Sequence, residues 1–317
     1  MLPLVPSYAA DGPVGDDVLS LVRFGSATTA VAADGSLALA VPALGRSRVE
    51  MWRSPTPVVR GREGDIAFAH NEEVLFGALA IEQGNLEPVT CEAYRSIVRL
   101  AREAGYPYLL RAWNHVRDVN QGEGDRERYK HFSAGRHEAL TAAGLQKSDF
   151  PAASAVGMSA GELAVYFVAA RNRGLQVENP RQVAAYDYPR QYGRRSPSFS
   201  RATAARWNGE ALIFISGTSS VVGHATTHAG DADAQLQETL VNLERIAAAS
   251  AERIGGQAGL SDLATVKVYL RRGAAAYEQV VPLLAQALPN AQILYLESDI
   301  CRGDLLLEIE AIARIRV

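Results

Sequence analysis

The chain has 317 residues, 48% hydrophobic and 21% charged, with a formal net charge of -3 and a pI near 6.1, the profile of a globular protein of about two domains. That charge balance argues against a generic nucleic-acid binder, and no run of about 18 apolar residues predicts a membrane span. The start "MLPLVPSYAADGPVGDD" has no basic region followed by an apolar block, and the two cysteines, Cys91 and Cys301, are too few for a disulfide framework, so a cytoplasmic location is expected.

The first 70 or so residues alternate short apolar runs with Gly, Pro and Asp. "SLALAVPAL" and "GDIAFAHNEEVLFGALAI" predict strands joined by turns. "CEAYRSIVRLAREAG" predicts a helix: Tyr94, Ile97, Val98 and Ala101 share a face, and Gly105 can stop it. "YPYLLRAWNHV" reads as a buried strand. "RERYKHFSAGRHEALTAAGL" is helical, with Tyr129, Phe132, Arg136 and Ala139 along one stripe.

Near Phe150-Pro151 the pattern resets, which places a division between 1–150 and 151–317. "SAVGMSAGELAVYFVAA" predicts a strand pair. "EALIFISGTSSVVGH" predicts a strand leading into a turn of small residues. A long amphipathic helix is expected from about Ala234 to Ile254, closed by Gly255-Gly256. "LATVKVYLR" reads as a strand, "AAAYEQVVPLLAQAL" as a helix that Pro282 kinks or divides, and "AQILYLESDICR" and "DLLLEIEAIARI" as the last strands. Alternating strands and helices imply an α/β fold of packed α+β layers.

Three segments could carry chemistry. In "DLLLEIEAIARI", alternation sends Leu305, Leu307, Ile309 and Ala311 to one face and Leu306, Glu308 and Glu310 to the other. The plain reading of the second face is a solvated one; the sharper reading puts a glutamate in a cleft wall, where burial raises its pKa and makes it a proton donor. "ENPRQVAAYDYPRQYGRRSPSFSRA", Glu178 to Ala202, holds five arginines and three tyrosines against two acidic residues. Arginine matches a carboxylate bidentately, and prolines 180, 189 and 197 stiffen the run, so it is a candidate grip for a small dianion, against the plain reading of a solvated basic loop. In "SGTSSVVGHATTH", the small residues Gly217, Thr218 and Ser219 let backbone N–H groups approach a ligand. His224 and His228 invite a zinc reading, but no third ligand is near in sequence, and His131 with His137 is a weaker pair still; no metal site is expected. Neither a phosphate-binding loop nor a dinucleotide fingerprint occurs, so no cofactor is expected.

These segments, with "RYKHFSAGRHEAL", "PAASAVG", "FISGTSSVVGH" and "DICRGDLLLEIEA", resemble the chorismatase family over residues from about 105 to the end. The stretch from Gln235 to Ala313 also resembles the YjgF/RidA fold. The resemblance implies a YjgF/RidA-like (chorismate-mutase-like) C-terminal domain, a degenerate N-terminal domain of similar fold, and a monomer that imitates a trimer. It departs from RidA-like deaminases, which carry an arginine where this chain has Gln292. It further implies a small-molecule substrate, chorismate, cleaved to pyruvate without a cofactor. Glu308 is then the general acid, with Glu310 as the fallback. Arg136 and Arg201 bind the two carboxylates, Tyr129 and Tyr192 lend phenolic hydrogen bonds, and Gly217, Thr218 and Ser219 line the ring side. Cys301 and the "GTS" turn bear on the product: Cys301 points to 3-hydroxybenzoate, the alternatives being a dihydroxycyclohexadiene carboxylate or a non-catalytic RidA-like binding protein.

Overall fold

The computed structural model describes residues 2–317. The first sheet comes from the N-terminal fifth of the chain. Its strands are β1 (Val5–Ala9), β2 (Val18–Phe24), β3 (Ala30–Val31), β4 (Leu37–Leu39) and β5 (Val49–Arg53), in the order β1-β5-β2-β4-β3.

The second unit runs β6 (Val59–Glu63), β7 (Ile66–His70), β8 (Val74–Ile81), α1 (Leu86–Glu103), β9 (Tyr108–Arg117), α2 (Arg128–Ala142), β10 (Ala152–Met158) and β11 (Leu163–Ala170). Its sheet order is β10-β9-β11-β8-β7-β6. The third runs β12 (Leu175–Val177), β13 (Ala202–Trp207), β14 (Glu210–Thr218), a small ribbon of β15 (Val221–Val222) and β16 (Ala225–Thr226), α3 (Ala232–Arg253), β17 (Leu263–Leu270), α4 (Gly273–Ala287), β18 (Gln292–Glu297) and β19 (Leu307–Arg316). Its order is β12-β13-β14-β19-β17-β18.

Ribbon aside, the last two sheets have one topology. Three antiparallel strands lead to a helix, a strand, a second helix, a parallel neighbour, and a final strand inserted at the centre. The central strands differ in chemistry. In β11 the face turned to the interior carries Ala164, Tyr166 and Val168, whereas in β19 it carries Glu308, Glu310 and Ile312. One unit has kept its acids on that face and its counterpart has none.

Alternation explains the layering. On β19, Leu307, Ile309, Ala311 and Ala313 pack under α3 and α4, while β11 turns Leu163, Val165 and Phe167 toward α1 and α2. The opposite faces of all three sheets meet in a central core that includes Trp52 from β5, Trp113 from β9 and Phe214 from β14. Three sheets of one chain thus enclose a single interior.

Several expectations are revised. Helix α1 starts at Leu86, five residues before the apolar stripe becomes legible at Cys91. Strands β10 and β11 both form, but not as a pair: β9 lies between them. The division expected at 150/151 therefore cuts off two strands that hydrogen bond into the second sheet, and the change of sheet falls between Ala170 and Leu175. Pro282 lies inside one continuous helix, α4.

Candidate active site

A cavity of about 480 Å³ opens where the edge strand β10 of the second sheet meets β14 and β19 of the third. The seam is hydrogen bonded: the Ala152 and Ala153 N–H groups donate to Thr203 Oγ1 and Ser216 Oγ at 2.9 and 2.8 Å. Helix α2 supplies Tyr129, Phe132 and Arg136 to one wall, β19 supplies Glu308, and the loop before it supplies Cys301 and Arg302. The segment from Gln182 to Arg201 also lines it, through Tyr188, Tyr192 and Arg201 among others.

Glu308 and Glu310 project from the same face of β19, and both are buried, so the solvated-face reading fails. Their surroundings differ sharply. Glu308 lines the cavity, and its Oε1 has no hydrogen-bond partner. Burial raises its pKa to about 8, with the negative charge of Glu310 adding to the shift and Arg111 and Arg201 opposing it. Glu310 lies outside this cavity. Burial acts against its charge too, but Lys267 and Arg111 outweigh it and bring its pKa to about 2. Lys267 Nζ and Arg111 Nη2 each stand 2.7 Å from its oxygens, Trp113 Nε1 donates at 2.7 Å, and Ser154 Oγ donates as well. Glu310 is thereby a fixed anion, which removes it as the fallback acid.

Two buried guanidinium groups from opposite sides face the same space. Arg136 leaves Nε and Nη2 without partners and lies 5.0 Å over the Tyr94 ring. Arg201 donates through Nη2 to Tyr188 Oη at 2.6 Å and to the Val183 carbonyl at 3.2 Å, and its Nε has no partner. Buried donors are normally satisfied, so unpaired ones lining a cavity are able to take an anionic ligand.

The other expected residues fall as follows. Tyr129 lines the cavity, and burial, with Cys301 and Glu308 adding, holds its phenol well above the ordinary range. Tyr192 lines it too, with its hydroxyl 3.2 Å from His224 Nδ1. Gly217 packs against Glu308 so closely that a Cβ there would collide with the carboxyl group. Ser219 lines the cavity and donates to the Leu307 carbonyl at 3.0 Å. Thr218 is buried, donates to the Ser216 carbonyl at 2.8 Å, and is not among the lining residues. Cys301 Sγ lies 4.0 Å from Glu308 Oε2, and burial pushes its thiol up to about 12, so it is no thiolate nucleophile.

The arginine-rich segment is mostly a strap. Arg190 pairs with Asp125, Arg194 with Glu87 and Arg181 with Glu238; only Arg201 of its five arginines lines the cavity. Sequence reading missed Arg302, which lies 4.2 Å over the Tyr192 ring and 5.1 Å over Tyr188 and donates to the His224 carbonyl at 2.9 Å. It stood inside the recognised stretch "DICRGDLLLEIEA" but carried no spacing of its own. The histidines have other partners: His131 meets Glu87, His137 meets Ser198 and His228 meets Glu238. Among the described residues no three His, Cys, Asp or Glu gather as a metal site.

Comparison with known proteins places this architecture. Residues 50–169 match the family model for the N-terminal part of FkbO/Hyg5-like chorismatases, a match that ends where the second sheet ends. A 3-hydroxybenzoate synthase from Streptomyces hygroscopicus is 36% identical, over 95% of this chain and 92% of that one. A chorismatase from the same organism is 36% identical over 93% and 89%. A chorismatase crystal structure superposes with a TM-score of 0.89 at 32% identity and covers 98% of each chain. The chain belongs to the chorismatase family. Its fold is that of the chorismatase structure, α/β layers in which a C-terminal unit lies beside an N-terminal unit of the same topology.

Proposed function

We propose that the protein is a chorismatase that cleaves the enolpyruvyl ether of chorismate to pyruvate and 3-hydroxybenzoate, with Glu308 as the general acid. The carrying observation is the pair on β19: two glutamates, two residues apart, of which the one in the cavity holds its proton to about pH 8 while the other is an anchored anion. Environments that push two carboxyl groups apart in this way support that role for Glu308.

The chemistry asks for such a group. Carbon is a poor proton acceptor, so adding a proton to the terminal methylene needs a positioned acid of raised pKa; general acid catalysis of this kind contributes roughly 10²–10⁴-fold. Protonation leaves an oxocarbenium ion. Water adding to the cationic carbon gives a hemiketal that collapses to pyruvate and the dihydroxycyclohexadiene carboxylate. For 3-hydroxybenzoate the neighbouring ring hydroxyl adds instead, its ring C–O bond then breaks as the adjacent ring C–H gives up its proton, and the resulting hemiketal collapses to pyruvate and the phenol. Arg136 and Arg201 are proposed to hold the two carboxylates, and Arg302 adds further positive charge to the cavity. Tyr129 and Tyr192 are proposed as hydrogen-bond donors to the bound dianion. The cavity's volume of about 480 Å³ suits one small ligand.

Product choice rests on Cys301 and Ser219, which line the wall beside Glu308. The relatives carry both names, 3-hydroxybenzoate synthase and chorismatase, and Cys301 favours the first. Working as a monomer is in keeping with three sheets of one chain closing the core, and no helix among the described residues is long and apolar enough to cross a membrane. A cytoplasmic location is proposed with the reaction. Chromatography of the products from chorismate tests the reading: 3-hydroxybenzoate equimolar with pyruvate is expected, and a dihydroxycyclohexadiene carboxylate in its place would move the chain to the hydrolytic branch.

A further inference from the structure

Behind the cavity wall lies a cluster of four charged side chains, drawn from all three sheets. Glu50 comes from β5, Arg111 from β9, and Lys267 and Glu310 from neighbouring strands of the third sheet. Lys267 stands opposite Glu310 in the β17–β19 register and bridges it to Glu50, 2.7 Å from each. Tyr166 Oη and Trp52 Nε1 donate to Glu50 at 2.8 and 2.9 Å. All four charged groups are buried, two anions against two cations. A buried ion cluster is weak evidence for stability, because apolar replacements often do as well. Its position suggests another use.

The cluster reaches the cavity at one point. Ser154 lines the cavity, accepts from Arg111, donates to Glu310 and accepts from the Gly217 N–H at 3.1 Å. Gly217 is the residue against which the Glu308 carboxyl packs. The cluster thus touches the seat of Glu308 through Ser154 and Gly217. We infer that Glu310 is a positioning residue that acts through Glu308: held in place on the same strand face by Lys267, Arg111 and Ser154, it sets the pH range in which that acid works. The inference rests on Glu308 being the acid.

The other groups facing Glu308 act differently. Arg111 on β9 and Arg201 before β13 pull its proton affinity down. Tyr129 on α2, Tyr269 opposite it on β17 and Cys301 in the preceding loop are all held neutral, their own proton affinities raised first by burial. Glu310 is the nearby charge that acts in the opposite sense to the arginines.

The test is the pH dependence of kcat for pyruvate release from chorismate in the full-length wild type, E310Q, E50Q and E308Q. Glu50→Gln is the matched control: it also removes a buried carboxylate from Lys267, but one that does not face Glu308. The alkaline limb of E310Q is expected to move down by roughly one to two pH units, the reach of a neighbouring like charge, while that of E50Q stays in place. If Glu310→Gln does not fold, the double variant Glu310→Gln/Lys267→Met removes the paired charges together and is expected to shift the limb in the same direction. An unmoved limb in E310Q, or equal shifts in E310Q and E50Q, would overturn the inference while leaving Glu308 as the acid. An active E308Q would overturn the acid assignment and this inference with it.

Discussion

Gly217 and Glu308 occupy one space: the glycine at the end of β14 lacks the Cβ that would strike the glutamate's carboxyl group from β19. The Glu308 carboxyl group is therefore seated against bare backbone, and Ser154 holds that backbone through the Gly217 N–H. Replacing Gly217 with alanine forces the carboxyl group to move. A displacement on the order of 1 Å costs about 10²-fold in rate where a reacting group is concerned. Gly217→Ala is expected to lower kcat by about that factor and to leave KM within a few-fold, since Arg136 and Arg201 are untouched. Steady-state kinetics check the split.

The arginines divide into one that lines the cavity and others that fasten the segment in ion pairs. Arg201 is buried with an unpaired Nε at the cavity, whereas Arg190 and Arg194 sit in exposed ion pairs. A hydrogen bond to a charged group contributes roughly 1.5–3 kcal/mol, so Arg201→Gln is expected to weaken substrate binding at least about tenfold. Exposed pairs contribute roughly 0–1 kcal/mol, so Arg190→Ala is expected to change KM less than about fivefold. Titration with chorismate in an E308Q background reads both. Equal losses from the two changes would return the whole strap to ligand binding.

Raised proton affinity in the fold has a sign that denaturation can read. Glu308 changes from an unfolded value of 4.5 to about 8 when folded, so between those limits the native state holds a proton that the unfolded chain has lost. The contribution of Glu308 to stability therefore falls as pH rises through that window, by up to about 1.4 kcal/mol per unit, and levels off above about 8. Glu308→Gln removes this slope. Urea melts at pH 6 and pH 8.5 are expected to show the variant gaining on the wild type at the higher pH; an unchanged difference would mean that Glu308 ionises normally in the fold.

Much of this was legible in the sequence, for physical reasons that differ by element. The period-two pattern of "DLLLEIEAIARI" correctly put Glu308 and Glu310 on one face, because a strand has no other arrangement. It could not separate their roles. The difference comes from Lys267 on the adjacent strand and from Arg111, 199 positions away in the chain from Glu310. The stripe Tyr129, Phe132, Arg136 appeared on α2 as read, but only the cavity that α2 shares with β14 and β19 makes Arg136 part of a wall. The arginine-rich segment was over-read: four of its five arginines do not line the cavity, because the acids they meet, Glu87, Asp125 and Glu238 among them, are distant in sequence. Strands β10 and β11 were placed in the wrong unit because hydrophobic runs give no partner, and their partners β9 and β8 come earlier in the chain.

The most direct measurement is pyruvate release from chorismate by purified wild type and E308Q at pH 7, with bound chorismate measured in parallel. The account expects turnover well above the spontaneous rate in the wild type, loss of nearly all of it in E308Q, and comparable binding in both. A wild type that releases no pyruvate beyond the spontaneous rate, or an E308Q variant that turns over at the wild-type rate, would contradict it.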